Sequence, residues 1–141
     1  MAVILVIDDD ELVRKTIHFA LTSAGHEVIE ASNGAEGVEL YKRNRIDLTI
    51  CDIIMPEKEG LDTIMTLRRL DRGAKIIAVS GGGRVGNLDF LPHATKLGAM
   101  EALAKPFAPR QLVQLVARCL GAEAPVGPVA PVRPTSPKGG A

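Results

Sequence analysis

In this 141-residue chain, four short apolar runs each end on a side chain capable of chemistry. Asp8, Asp9 and Asp10 follow the aliphatic run from Val3 to Ile7. Asp52 follows Leu48 to Cys51, Ser80 follows Ile76 to Val79, and Lys105 follows Ala102 to Ala104. A carboxylate held at the mouth of a strand can bind a cation, accept a hydrogen bond or attack as a nucleophile. Clustered carboxylates repel one another, and without a cation some would take up protons. An all-oxygen ligand set suits Mg²⁺, which keeps waters and pairs one or two carboxylates with phosphate oxygens. A lysine supplies a point charge for a phosphate, and a serine hydroxyl can donate to a phosphate oxygen. Brought together, these groups would take a phosphoryl group onto a carboxylate, mostly by positioning and charge neutralisation.

The intervening elements must do the bringing together. Unbroken apolar runs read as strands covered on both faces. Glu11 to Ala24 has helical spacing, with Leu12, Val13, Ile17, Ala20, Leu21 and Ala24 as its apolar side and Gly25 as its stop. Glu27 to Ala31 alternates acids with aliphatic residues, which suits a sheet edge. Ser32-Asn33 offers an N-cap for a helix to about Asn44. A third helix is expected from Leu61 to Leu70, after a bend at Gly60. A weak fourth is expected from about Asn87 to Leu97, interrupted by Pro92 and stopped by Gly98. The last helix starts at Pro109, with Leu112, Leu115, Val116, Cys119 and Leu120 as its stripe. Strands alternating with helices define an α/β class with a parallel sheet. The polar second strand and the short fifth belong at the edges. The order 2-1-3-4-5 satisfies this with right-handed crossovers and puts every strand's C-terminal end on one rim, where ligands bind.

Composition narrows the function. Lysine plus arginine equals aspartate plus glutamate at 17 each, which argues against a nucleic-acid or membrane-surface partner. Cys51 and Cys119 lack metal or redox spacing and read as buried free thiols of a reducing compartment, so a cytoplasmic location is expected. The opening apolar run is too short for a signal peptide or a membrane span. Residues 1–121 form the expected domain. In residues 122–141, Pro125, Pro128, Pro131, Pro134 and Pro137 recur at every third position, the composition of an extended, disordered tail.

The combined pattern resembles the receiver domain of bacterial two-component response regulators. The residues that carry the resemblance are Asp8-Asp9-Asp10 after Ile7, Asp52-Ile53-Ile54-Met55-Pro56 with Gly60, Ser80, and Lys105-Pro106-Phe107. They extend over residues 3 to about 121, and their combination is far more specific than any one motif. The resemblance implies a flavodoxin-like fold of five parallel strands and five helices. It implies Asp52 as phosphoacceptor and a Mg²⁺ held by Asp9, Asp52 and the backbone carbonyl of Ile54, with Asp8 acting mainly through a bound water. Lys105 would pair with the acid and then with the phosphoryl group, Ser80 would be the switch hydroxyl, and the Lys105–Pro106 bond would be cis. A histidine kinase or histidine phosphotransfer protein would donate the phosphoryl group, and an unknown downstream protein would read it. The alternative is a receiver-like interaction module that is not phosphorylated.

Two positions depart from the family's pattern. Ala102 stands where receivers usually carry the Tyr or Phe that moves with the switch hydroxyl, so movement of the Gly81-Gly82-Gly83 loop would have to replace it. Ile54 and Gly82 occupy the positions that tune hydrolysis, and neither side chain can orient an attacking water. A long-lived phosphoryl state is therefore expected. A haloacid-dehalogenase-like phosphatase would need a second Asp at position 54. A flavin-binding flavodoxin would need a phosphate loop where this chain has three acids. Other readings are plainer: Asp10 as a helix cap, His18, His26 and His93 as solvated, and Arg68, Arg69 and Arg72 as a solvated basic face.

Overall fold

The computed structural model describes residues 1–53, 59–80 and 94–122. Five strands, β1 (Val3–Ile7), β2 (Glu27–Ala31), β3 (Leu48–Asp52), β4 (Ile76–Ser80) and β5 (Glu101–Ala104), form one sheet in the order β2-β1-β3-β4-β5. All four pairings are parallel. Four helices are described in full: α1 (Glu11–Ser23), α2 (Gly34–Arg43), α3 (Glu59–Leu70) and α4 (Pro109–Leu120). The helix expected from Asn87 lies mostly outside the described residues. Its final turn at 94–96 is helical, and Gly98 follows at φ +125, a conformation that favours glycine.

The strands alternate their side chains between two cores. Ile4 and Val6 of β1, Leu48 and Ile50 of β3, and Ile77 and Val79 of β4 meet Ile17 and Leu21 of α1 and Leu112, Val116 and Cys119 of α4. Leu5, Ile7, Cys51, Ile76 and Ala78 point the other way, against Ile64 and Leu67 of α3, with Val38 and Tyr41 of α2 beside them. Covering both faces explains why β1, β3 and β4 are continuous aliphatic runs. The edge strands differ: β2 and β5 are mostly only half-buried. Both cysteines are buried, and they are not joined in a disulfide. Among the described residues no helix is long and apolar enough to cross a membrane.

Three local expectations change. Leu12, assigned to the buried side of α1, is 75% exposed, because the sheet-facing stripe of that helix centres on Ile17 and Leu21. Arg68 is buried, not solvated. Its Nη1 donates to the carbonyls of Arg72 at 2.7 Å and Ala74 at 3.1 Å, closing the turn between α3 and β4. Burial pushes its guanidinium below the usual arginine range, more than the nearby Asp71 and Tyr41 push it up. The third helix begins at Glu59, so Gly60 lies inside it rather than before it. The reason is steric: a methyl group at Gly60 would overlap the backbone of Asp52 and Ile53. The absent side chain lets α3 start directly against the end of β3.

Candidate functional site

The turn after β1 gives three consecutive aspartates three different environments. Asp8 is 2% exposed; its N–H donates to the Ala31 carbonyl and its Oδ1 accepts the Asp10 N–H at 2.9 Å. Asp10 caps α1, its Oδ1 accepting the N–H groups of Leu12 at 2.9 Å and Val13 at 3.3 Å. Between them Asp9 is exposed. The cap dictates the turn's shape, because α1 must begin where Asp10 can receive its orphan donors.

Asp52, the last residue of β3, is buried at 4% exposure. Asp8, Asp9 and Asp52 each offer a carboxylate oxygen, and those atoms lie within 4.8 Å of one another. Lys105 reaches this cluster from the far side of the sheet. Its Nζ is 3.0 Å from Asp8 Oδ2 and 3.5 Å from Asp52 Oδ2. Burial alone would lower Lys105, but the Asp52 and Asp8 carboxylates outweigh it and hold the ammonium above the usual lysine range. Lys105 is aimed by its own backbone: its N–H donates to the Ser80 carbonyl at 2.7 Å, one step beyond the Ser80–Ala104 register pair.

Ser80 ends β4 and is buried. Ala102 pairs with Ala78 and is half-buried, so a small side chain stands at that position of β5. The Lys105–Pro106 peptide bond is cis. Ile54, with its carbonyl, lies outside the described residues, as do Met55, Pro56, the glycines at 81–83 and His93.

The chemistry of this pocket follows from its charges. Two carboxylates at about 4.8 Å repel by roughly 3 kcal/mol at an effective dielectric of ~20. Three carboxylates and one ammonium leave two net negative charges. An oxygen-only donor set with that excess fits a small divalent cation such as Mg²⁺ and excludes a site built for soft metals.

Two neighbouring residues were not singled out from the sequence. Arg14 of α1 donates to the Asp8 carbonyl at 2.8 Å and to Glu30 Oε1 at 3.0 Å. Glu30 Oε2 also meets His18 Nδ1 at 2.6 Å and Lys15 Nζ at 3.2 Å, so His18 is paired rather than merely solvated. Burial would raise Glu30, but the hydrogen bonds from Arg14, His18 and Lys15 together hold its carboxyl below the usual glutamate range. A basic run at positions 14, 15 and 18 opposite an acid on an edge strand was the available signal.

Fold and site together define a doubly wound α/β domain with an acid-rich, lysine-bearing pocket at the C-terminal rim of its sheet. The chain belongs to the response regulator receiver domain family, which it matches over residues 4–117. It is 38% identical over 112 residues to the chemotaxis protein CheY of Thermotoga maritima, covering 79% of this chain and 91% of the relative. It is 34% identical over 118 residues to the CheY of Bacillus subtilis, covering 83% of this chain and 96% of that protein. The crystal structure of a response regulator receiver domain protein from Clostridium thermocellum superimposes with a TM-score of 0.78 at 33% identity, over 85% of this chain and 94% of that one. The protein is a CheY-like receiver of two-component signalling, and a receiver's role is that of phosphoacceptor.

Proposed function

We propose that Asp52 is the phosphoacceptor and that Asp8, Asp9, Asp52 and the carbonyl of Ile54 hold a Mg²⁺ ion, Asp8 through water. The observation that carries this reading is the convergence of three carboxylates from β1 and β3 with Lys105 between two of them. The donor is a histidine kinase or a histidine phosphotransfer protein. A carboxylate oxygen of Asp52 attacks the donor's phosphorus, the phosphorus–nitrogen bond breaks, and the departing imidazole takes up a proton. Mg²⁺, when bound, neutralises charge on the carboxylates and on the incoming phosphate oxygens. Lys105 already faces Asp52 and is fixed to the backbone of Ser80, so it needs little reorganisation to meet a phosphoryl oxygen.

Phosphorylation adds roughly one to two negative charges and new acceptor oxygens. Ser80 and Lys105 are the groups to turn toward them, and Pro106 carries that change into the start of α4. With Ala102 in place of a ring, the response runs through the backbone after Ser80. The output is a contact with an unidentified protein, not with nucleic acid or a membrane. We place the protein in the cytoplasm, in keeping with two buried cysteines that are not joined in a disulfide. Residues 1–121 act as the receiver and 122–141 as an appended tail. Ile54 and Gly82 cannot orient water, so the acyl phosphate is long-lived.

The test is intact-mass spectrometry after incubation with acetyl phosphate, with and without Mg²⁺. A Mg²⁺-dependent phosphoryl adduct is expected on the wild type and not on Asp52→Asn, with slow decay once the donor is removed. No adduct from acetyl phosphate or from a panel of histidine kinases would overturn the assignment and favour a binding module that is not phosphorylated.

A further inference from the structure

The carboxylates of the pocket differ in what aims them. Asp8 accepts from the Asp10 N–H and from Lys105, and Asp52 faces Lys105. Among the described residues no hydrogen bond or ion pair ends on the carboxylate of Asp9, which is exposed. Its direction is therefore set by its backbone. The peptide plane leading into Asp9 contains the Asp8 carbonyl, since a peptide group is planar. That carbonyl is held by Arg14 Nη1 at 2.8 Å. Arg14 is held in turn by Glu30 on β2, and the two side chains are only 14% and 16% exposed. The Asp8 N–H is also tied to β2, through the Ala31 carbonyl. Both sides of Asp8 are thus anchored to the neighbouring strand.

We infer that Arg14, locked by Glu30, is a positioning residue for Asp9: by gripping the Asp8 carbonyl it fixes the Asp8–Asp9 peptide plane and so aims the Asp9 carboxylate into the pocket. This rests on the metal-site reading above. Groups that orient metal ligands from behind are commonly worth about 10- to 100-fold in affinity. Electrostatics alone predicts the opposite sign. Arg14 is a cation close to an acidic pocket, and removing it would strengthen the attraction for Mg²⁺. Positioning and charge are therefore separable in one measurement.

The measurement is a Mg²⁺ titration of the full chain, labelled with ¹⁵N and followed by amide shifts, for the wild type, Arg14→Gln, Arg14→Lys and Glu30→Gln. We expect Mg²⁺ binding about tenfold weaker in Arg14→Gln. Arg14→Lys keeps the charge, but one ammonium cannot replace a guanidinium that spans a carbonyl and a carboxylate, so it should also bind more weakly. Glu30→Gln should show a smaller loss in the same direction. In metal-free buffer the Asp9 and Asp10 amides should shift in all three while the amides of β3 and β4 stay in place. Binding that is tighter or unchanged in Arg14→Gln, with the sheet amides intact, overturns the inference. Should Arg14→Gln fail to fold, Arg14→Lys decides: weaker binding supports the inference, and wild-type affinity overturns it. A wild type with no saturable Mg²⁺ response overturns the metal-site reading itself, a separate result.

Discussion

At the N-terminal rim of the sheet, Asp47 accepts the Val3 N–H at 2.8 Å, His26 Nδ1 accepts the Ala2 N–H at 3.2 Å, and Lys75 donates to the Leu120 carbonyl at 3.0 Å. At the C-terminal rim, Asp8, Asp9 and Asp52 crowd within 4.8 Å with Lys105 as their counter-charge. Both rims carry carboxylates and a lysine. At the first, each bonds a backbone group left over where a strand or helix ends, and the charges are local. At the second, side chains face side chains and an excess of negative charge is retained. Acidic residues at strand ends are thus not a functional signal in themselves. What distinguishes a site is convergence without local neutralisation.

The sharpest way to break this contrast is to remove the counter-charge. Lys105→Met leaves Asp8 and Asp52 buried without their cation, which should cost about 3–5 kcal/mol in metal-free buffer. Millimolar Mg²⁺ should restore much of it. Urea unfolding with and without Mg²⁺ checks this, and an equal loss in both buffers would erase the distinction between the rims. Gly60→Ala attacks the packing behind the acceptor. The new methyl group meets the backbone of Asp52 and Ile53, so a destabilisation of about 1–3 kcal/mol is expected by thermal or urea melts. Wild-type stability there would mean that α3 can withdraw from β3 at no cost.

The opposite rim supplies the control. Asp47→Ala should cost about 1 kcal/mol, the worth of one hydrogen bond, while leaving Mg²⁺ affinity and the phosphoryl adduct unchanged. A changed adduct would show that the rims are coupled. The smallest effect concerns acid. Glu30 is held below the usual glutamate range, so its pairing contributes stability above the unfolded-state value and loses it as pH falls through the lower folded value. Unfolding curves below about pH 4 should therefore fall more steeply for the wild type than for Glu30→Gln. Parallel curves would remove Glu30 from the contrast.

Much of this arrangement was legible in the chain. Unbroken runs such as Val3–Ile7 and Ile76–Val79 specify buried parallel strands, and the rule that such strands share one C-terminal rim brings Asp8, Asp52, Ser80 and Lys105 together before any coordinate is known. The rest depends on contacts between elements, which spacing does not encode. Arg68 looks like part of a solvated basic face, yet the turn that follows α3 folds its carbonyls back onto that guanidinium. Arg14 and Glu30 lie on different elements, and nothing in either segment alone says that they meet. Leu12 fits the apolar period of α1, but the sheet covers only the stripe around Ile17 and Leu21.

The ion pair between Asp8 and Lys105 joins residues 97 positions apart, just after the first and the last strands of the sheet. During synthesis, the acids of β1 and β3 leave the ribosome long before the lysine that balances them. A chain halted before β5 holds crowded carboxylates without their counter-charge. The pocket is therefore completed last, when β5 pairs with β4 and α4 packs against the sheet. Partial chains that stop short of Lys105 would carry the acids of β1 and β3 without the cation that faces two of them in the finished domain.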